Sequence, residues 1–332
     1  MLARIAWPVW NAEERRLRAL VRIALYAGMI TVAMLAVGLA SMFVDRSLAA
    51  LAALFALQMA LVVGVSFAAA RWIDRRPVAE LGLAPRRGYV VDLAFGVALG
   101  GICMGAIAGF ESALGWGRYA PRFTEIDSVV AALPASGSAL TIFVAVAVIE
   151  ELTFRGYPLL NLSEGMPAFG ARRDVAITVA VVLTSIAFGV AHAGNPGSSP
   201  TAVAFVAFGG MFLAVGLVLQ GDLAIPIGAH FGWNFFQNVL GMQVSGQTQF
   251  DPAAWLRRDE LGPDVATGGT FGPEAGLEGL AAMVLGIVLT FAWVRLRAGK
   301  LQVHERFLVT SRPRGVSRAR RTGREVDGVA GA

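Results

Sequence analysis

Three polar clusters interrupt otherwise apolar stretches of this chain. They are Glu150-Glu151-Leu152-Thr153-Phe154-Arg155, Phe188-Gly189-Val190-Ala191-His192 and His230-Phe231-Gly232-Trp233-Asn234. An ionisable side chain at the centre of a bilayer costs about 2.5–3.5 kcal/mol on insertion scales, so such residues are expected to face a protein interior and to mark a functional site. The chain has three histidines, and two of them lie in these clusters. Carboxylate, imidazole and carboxamide groups together can activate water for hydrolysis, or can hold a metal.

Helical geometry assigns provisional parts. Glu151 and Arg155 are four residues apart, share a helix face and are expected to pair, with the guanidinium gripping the carboxylate. Glu150 points about a quarter-turn away. It is the carboxylate left available to a water as general base, although a Glu–Arg pair can equally be a structural brace. His192 ends an apolar stretch, where a lone histidine is more often structural than functional. Phe188, four residues earlier, forms a wall beside its ring. His230 and Asn234 are four apart, and Gln237 and Asn238 continue the same stripe, which must line an interior or a cavity. Hydrogen bonding between helices accounts for Asn234 or Gln237 well, and for a second membrane histidine less well.

Two chemistries fit these residue types. In the first, Glu150 and His192 activate water while His230 and Asn234 donate to an oxyanion, a contribution of about 3–4 kcal/mol to the barrier. No cofactor is required. In the second, His192, His230 and Glu150 hold zinc, a two-histidine, one-carboxylate set. No H-E-x-x-H is present to favour the metal. Either needs one site, yet helix positions put His192 toward the outer membrane face and His230 nearer the inner one, an offset of more than about 10 Å in depth. A tilted helix, or a 194–200 segment kept inside the protein, is required to bring them level.

The elements that must position these groups are membrane helices. The 332 residues are 56% hydrophobic and 15% charged, with mean hydropathy +0.63, against about 25% charged in soluble domains. The fold class is therefore all-α and polytopic. Hydropathy predicts eight spans, near 20–43, 49–70, 91–114, 138–160, 175–193, 201–220, 223–243 and 278–297, each close to the length a bilayer core requires. The polar cavity falls among spans 4, 5 and 7. Residues 1–19 form a cytoplasmic N-terminal segment, 20–298 the membrane domain with its motif core at 138–243, and 299–332 a basic, disordered cytoplasmic tail. With both termini inside, the inner segments hold 22 of the 28 Lys and Arg and the outer loops hold 5, the bias expected of cytoplasmic segments. The tail arginines, Arg312 to Arg324, suit anionic lipid and give no reason to invoke nucleic acid. Gly101, Gly105 and Gly109 are expected to pack the third span against a neighbour. The 245–276 loop reads as mostly irregular, and the single cysteine, Cys103, excludes a disulfide framework. Absence of a long internal repeat counts against an inverted-repeat transporter.

The order E-E-x-x-x-R, F-x-x-x-H and H-x-x-x-N on three separate helices resembles the CPBP family. This family comprises CAAX proteases and bacteriocin-processing enzymes, also called Abi, and its eukaryotic relatives are the type II CAAX prenyl endopeptidases. The match runs from about Ile149 to Asn238 and is supported by Phe208-Gly209-Gly210, Ile225-Pro226-Ile227 and the Leu81-Gly82-Leu83 turn. The resemblance implies an eight-helix intramembrane endopeptidase that cuts a peptide bond near a membrane surface. Glu150 and His192 would activate water, His230 and Asn234 would stabilise the oxyanion, and Glu151, Arg155 and Phe188 would support them. The substrate would be a CAAX-like tail, a peptide or a membrane protein, and the expected partners are that substrate and the bilayer. The Ala-, Arg-, Val- and Gly-rich composition suits a GC-rich genome and a bacterial cytoplasmic membrane. A non-catalytic scaffold or immunity protein on the same fold is the alternative.

Overall fold

The computed structural model describes residues 9–308, apart from 13, 84–85 and 167–169. Eight helices carry the fold: α1 (Ala19–Ser41), α2 (Leu48–Ala68), α3 (Tyr89–Leu114), α4 (Ile126–Glu150), α5 (Arg173–Ala191), α6 (Pro200–Gln220), α7 (Ala224–Val239) and α8 (Leu277–Ala298). Among the described residues, seven helical segments are long and apolar enough to cross a membrane. The remaining predicted span corresponds to α7, whose 16 residues extend about 24 Å. It sits in the middle of the bundle with most of its positions buried, including His230, Trp233, Asn234, Gln237 and Asn238.

Local sequence sets the helix limits. Ser47 and Ser199 cap α2 and α6 by accepting from the backbone N–H of Ala50 and Ala202. α4 has no such stop. It continues as a π-helical segment, Glu151–Leu159, and a last α-helical stretch, Leu160–Gly165, for 40 residues in all. Pro158 lies inside the π segment and lacks the N–H that an α-helical ladder requires. The helix therefore widens immediately after Glu150, a distortion common at functional sites.

The tightest packing fixes α7 against α3. A Cβ on Gly100 would meet the Trp233 nitrogen at 2.2 Å, and one on Gly232 would meet the Val97 oxygen at 2.4 Å. Gly96 and Gly228 make the adjoining close approach. This corrects the expected stripe. Of Gly101, Gly105 and Gly109 only Gly101 meets a neighbour, the Phe236 ring, while Gly105 and Gly109 have open space around them. The contact line follows Gly96 and Gly100, whose spacing of four suits close helix approach.

The 245–276 loop is not irregular. It contains a 3-10 turn (Thr248–Ala253), a strand β4 (Leu256–Glu260), a helical turn (Asp264–Thr267) and a second 3-10 turn (Pro273–Ala275). β4 pairs antiparallel with β3 (Gly117–Pro121), in register Gly117 to Glu260. A shorter ribbon joins β1 (Trp10–Asn11) to β2 (Arg16–Leu17). Arg258 is bonded to Glu111 of α3 through its Nε at 2.9 Å, and the Trp255 indole donates to Ser136 of α4 at 3.0 Å. The loop thus forms a roof on one end of the bundle.

The opposite end is closed by ions. Asp74 accepts from Tyr157 at 2.6 Å and from Asn161 at 2.9 Å. Arg76 reaches Asp74 at 2.9 Å and Glu164 at 2.6 Å, and Arg22 reaches Asp74 at 3.4 Å. Tyr26 stacks on Tyr157 with centroids 4.1 Å apart. On the same end, the first residues assigned to the tail dock on the bundle. The His304 N–H donates to Val218 at 2.9 Å, and Phe307, in the helical turn Glu305–Leu308, is buried. The basic stretch beyond 308, expected to be disordered, lies outside the described residues.

Candidate active site

The residues of the three polar clusters meet in one place. Glu150 Oε2 lies 3.6 Å from His230 Nε2 and 4.0 Å from His192 Nε2. The expected depth mismatch does not arise, since both rings reach the same carboxylate oxygen, although the C-terminal end of α5 is largely exposed. His192 caps that helix, and the following turn is tied to the roof by Asn195 donating to the Ser245 carbonyl at 3.1 Å. A Cβ at Gly189 would meet the Val203 oxygen at 2.4 Å, so α5 also lies hard against α6.

Both imidazoles are held by their other nitrogen. His192 Nδ1 is 2.8 Å from the Phe188 carbonyl, which can only accept, so this nitrogen carries a proton. His230 Nδ1 is 2.9 Å from Glu151 Oε1, which also accepts from Arg155 Nη1 at 2.9 Å. The carboxylate therefore accepts from His230 as well. Each Nε2 is left facing Glu150. Glu150 Oε2 is buried and has no hydrogen-bond partner among the described residues.

The sequence reading foresaw the Glu151–Arg155 pair but missed that Glu151 also orients His230. Phe188 is more than a wall for one ring. It packs against His192 at 4.8 Å and His230 at 6.0 Å between centroids, and its face covers the Arg155 guanidinium at 4.1 Å. That contact accompanies Arg155 Nε and Nη2, which have no hydrogen-bond acceptor.

Glu150, His192, His230 and Asn234 line a cavity of about 390 Å³. Much of its wall is aromatic or aliphatic, including Phe55, Phe143, Phe212 and Trp233. Such a surface suits apolar ligand groups around a few convergent polar ones. Gln237 and Asn238 continue the stripe but serve the roof. Gln237 donates to Glu274 at 2.5 Å, and Asn238 donates to the Phe250 carbonyl at 2.9 Å. Glu274, which sequence reading passed over, also accepts from the Ser245 N–H at 2.6 Å and hydroxyl at 2.8 Å. Burial pushes its carboxyl above the ordinary carboxylate range, against the lowering effect of these hydrogen bonds.

The donor set bears on metal binding in two ways. Among the described residues, no group of three or more His, Cys, Asp or Glu is gathered closely enough to form a metal site. Yet the donor types fit zinc. Each histidine engages Nδ1 with a carbonyl or carboxylate, as metal-bound imidazoles do. A tetrahedral ion with bonds of about 2.0–2.1 Å sets its donors about 3.3–3.4 Å apart. The observed 3.6 and 4.0 Å separations would have to close by a few tenths of an ångström.

Residues 133–236 match the family model described as type II CAAX prenyl endopeptidase Rce1-like. The match covers 104 of the 332 residues, and over them the chain is similar to the CAAX protease family. This segment contains all three polar clusters and spans most of α4 to α7. It bears out the resemblance and the reading of an all-α polytopic membrane protein with a peptide-hydrolase core. No curated protein and no solved structure matches the chain.

Proposed function

We propose that the chain is an intramembrane endopeptidase in which Glu150 activates the attacking water. The observation that carries this reading is the buried, unpartnered Glu150 Oε2 set 3.6 and 4.0 Å from two imidazole Nε2 atoms. Water bound between Glu150 and His192 adds to the peptide carbonyl and gives its proton to Glu150. The oxygen that becomes negative is stabilised by the Asn234 amide N–H and by the His230 Nε2–H, the ring being oriented through Nδ1 by Glu151. The departing amine then takes the proton from Glu150. Glu151, Arg155 and Phe188 hold the reacting groups in place and exclude water. The substrate is an apolar segment of a membrane-associated peptide or protein.

A zinc-dependent version is supported by the second observation, the Nδ1 engagement of both rings. His192, His230 and Glu150 would hold the ion, which would supply Lewis-acid polarisation and a nucleophilic water. Cleavage of a membrane-peptide library by purified protein, before and after exhaustive chelation with zinc content measured in parallel, separates the two. Activity retained in metal-free protein supports the glutamate–histidine reading. Activity lost and restored by zinc assigns the three residues as ligands. No cleavage in either form favours a non-catalytic scaffold.

A further inference from the structure

The cavity has a direction. Its polar rim is built from Asn195, Ser245, Gln247, Gln249 and Glu274, which belong to the roof and to the α5–α6 turn beneath it. Among the described residues, segments 74–88, 166–172, 221–223 and 299–308, which make up the opposite end, contribute nothing to the lining. In that direction Leu152, Tyr157 and Leu159 are fully buried. Beyond them lies the lattice of Arg22, Asp74, Arg76 and Glu164. A peptide entering from that end would have to part both layers, whereas Gln249 at the roof is exposed and borders the cavity directly.

Charge gives the two ends different surroundings. The closed end gathers both ends of the described chain and fifteen of its Lys and Arg residues, from Arg15 to Arg306. The roof end holds five, Arg46, Arg118, Arg122, Arg257 and Arg258, and one of these, Arg258, is buried against Glu111. Clustered Lys and Arg in short segments mark the cytoplasmic side. The arginine-rich end is therefore the cytoplasmic one, and the roof faces the other compartment.

We propose that the active site takes its substrate from the non-cytoplasmic face. The scissile bond then lies in an apolar, outward-facing segment flanking a membrane anchor. A lipidated C-terminal tail presented from the cytoplasm would reach the wrong end of the bundle. This assignment rests on the proteolytic reading above and narrows its substrate to exported or membrane-anchored polypeptides.

Sidedness can be read without activity. Cys103 is buried, so a membrane-impermeant maleimide finds little background in the unmodified protein. In sealed right-side-out vesicles, Gln249→Cys should label at least tenfold faster than Lys300→Cys, and inverted vesicles should reverse the order. Faster labelling of Lys300→Cys from outside overturns the proposal. A second arm reconstitutes the protein with single-span peptides carrying identical apolar flanks on both sides, and maps the cuts by mass spectrometry. Cuts confined to the flank on the Gln249 side support the assignment. Cuts on the Lys300 side overturn it and leave the protease reading standing. Failure to cut these peptides even in detergent, by wild type as by Glu150→Gln, removes the protease reading and this assignment with it, whatever the labelling reports.

Discussion

Glu151 Oε1 accepts a hydrogen bond from His230 Nδ1 at 2.9 Å, linking the π-helical segment that extends α4 to α7, and the same oxygen accepts from Arg155 Nη1 at 2.9 Å. One carboxylate therefore fixes the ring direction of a site histidine and neutralises a fully buried guanidinium. Charge-assisted hydrogen bonds of this kind are roughly twice as strong as neutral ones. Glu151→Gln keeps the shape and removes the charge. Turnover is expected to fall about 10–100-fold, the usual range for a lost partner of a functional histidine, with KM little changed. An unaltered kcat and an unaltered pH–rate profile would mean that Glu151 acts only as a brace.

Arg155 is fully buried, and among the described residues its carboxylate partner within bonding distance is Glu151. Arg155→Ala leaves that carboxylate without its cation and uncovers the Phe188 face. A loss of about 3–5 kcal/mol is expected from breaking a buried pair on one side. Detergent-solubilised yield and thermal aggregation temperature measure it. Wild-type stability in this variant would contradict the pairing.

Asn234 borders the cavity one helical turn after His230. Asn234→Ala is expected to lower kcat by about 10²–10³, the cost of removing one oxyanion donor, while substrate binding persists. A rise in KM at constant kcat would instead assign Asn234 to ground-state binding.

The approach of α3 to α7 leaves no room at Gly100. Gly100→Ala is expected to destabilise by about 1–3 kcal/mol through overpacking and to shift α7, so activity falls with stability. Gly105→Ala, at a position with open space, is the matched control and should leave both unchanged.

Glu274 holds the roof, and its carboxyl titrates above the ordinary range because it is buried. The folded state therefore binds a proton more tightly than the unfolded chain. The stability that this proton contributes is present at low pH and is lost as pH rises from the ordinary carboxylate range through the raised value. Glu274→Gln should flatten that dependence, read as hydrogen exchange of 242–276 against pH. An unchanged slope would locate the titration elsewhere.

Much of the fold was legible because the apolar length of a helix follows directly from the thickness of the bilayer core. Each of the eight expected spans falls on a helix, but among the described residues only seven segments are long and apolar enough to cross a membrane, and the fourth, expected at 138–160, begins at 126 and runs on through the π-helical stretch to 165. The packing stripe was misplaced because spacing alone does not choose between Gly96 and Gly100 and the Gly101, Gly105 and Gly109 series. Which face meets α7 is a tertiary fact. The gathering of Glu150, His192 and His230 was legible as chemistry but not as geometry, since a widened helix and the packing of α4, α5 and α7 carry no periodic signal. The 245–276 roof was missed for a related reason. Its short turns and its pairing with β3 depend on contacts more than a hundred residues away.

The role of Glu150 is tested most directly by comparing purified wild type with Glu150→Gln in single-turnover cleavage of the membrane-peptide library, with folding checked by thermal stability. The expected result is a folded variant, within a few degrees of wild type in melting temperature, whose cleavage rate is lost. Cleavage at the wild-type rate by a folded Glu150→Gln protein would remove Glu150 from the mechanism and contradict the account.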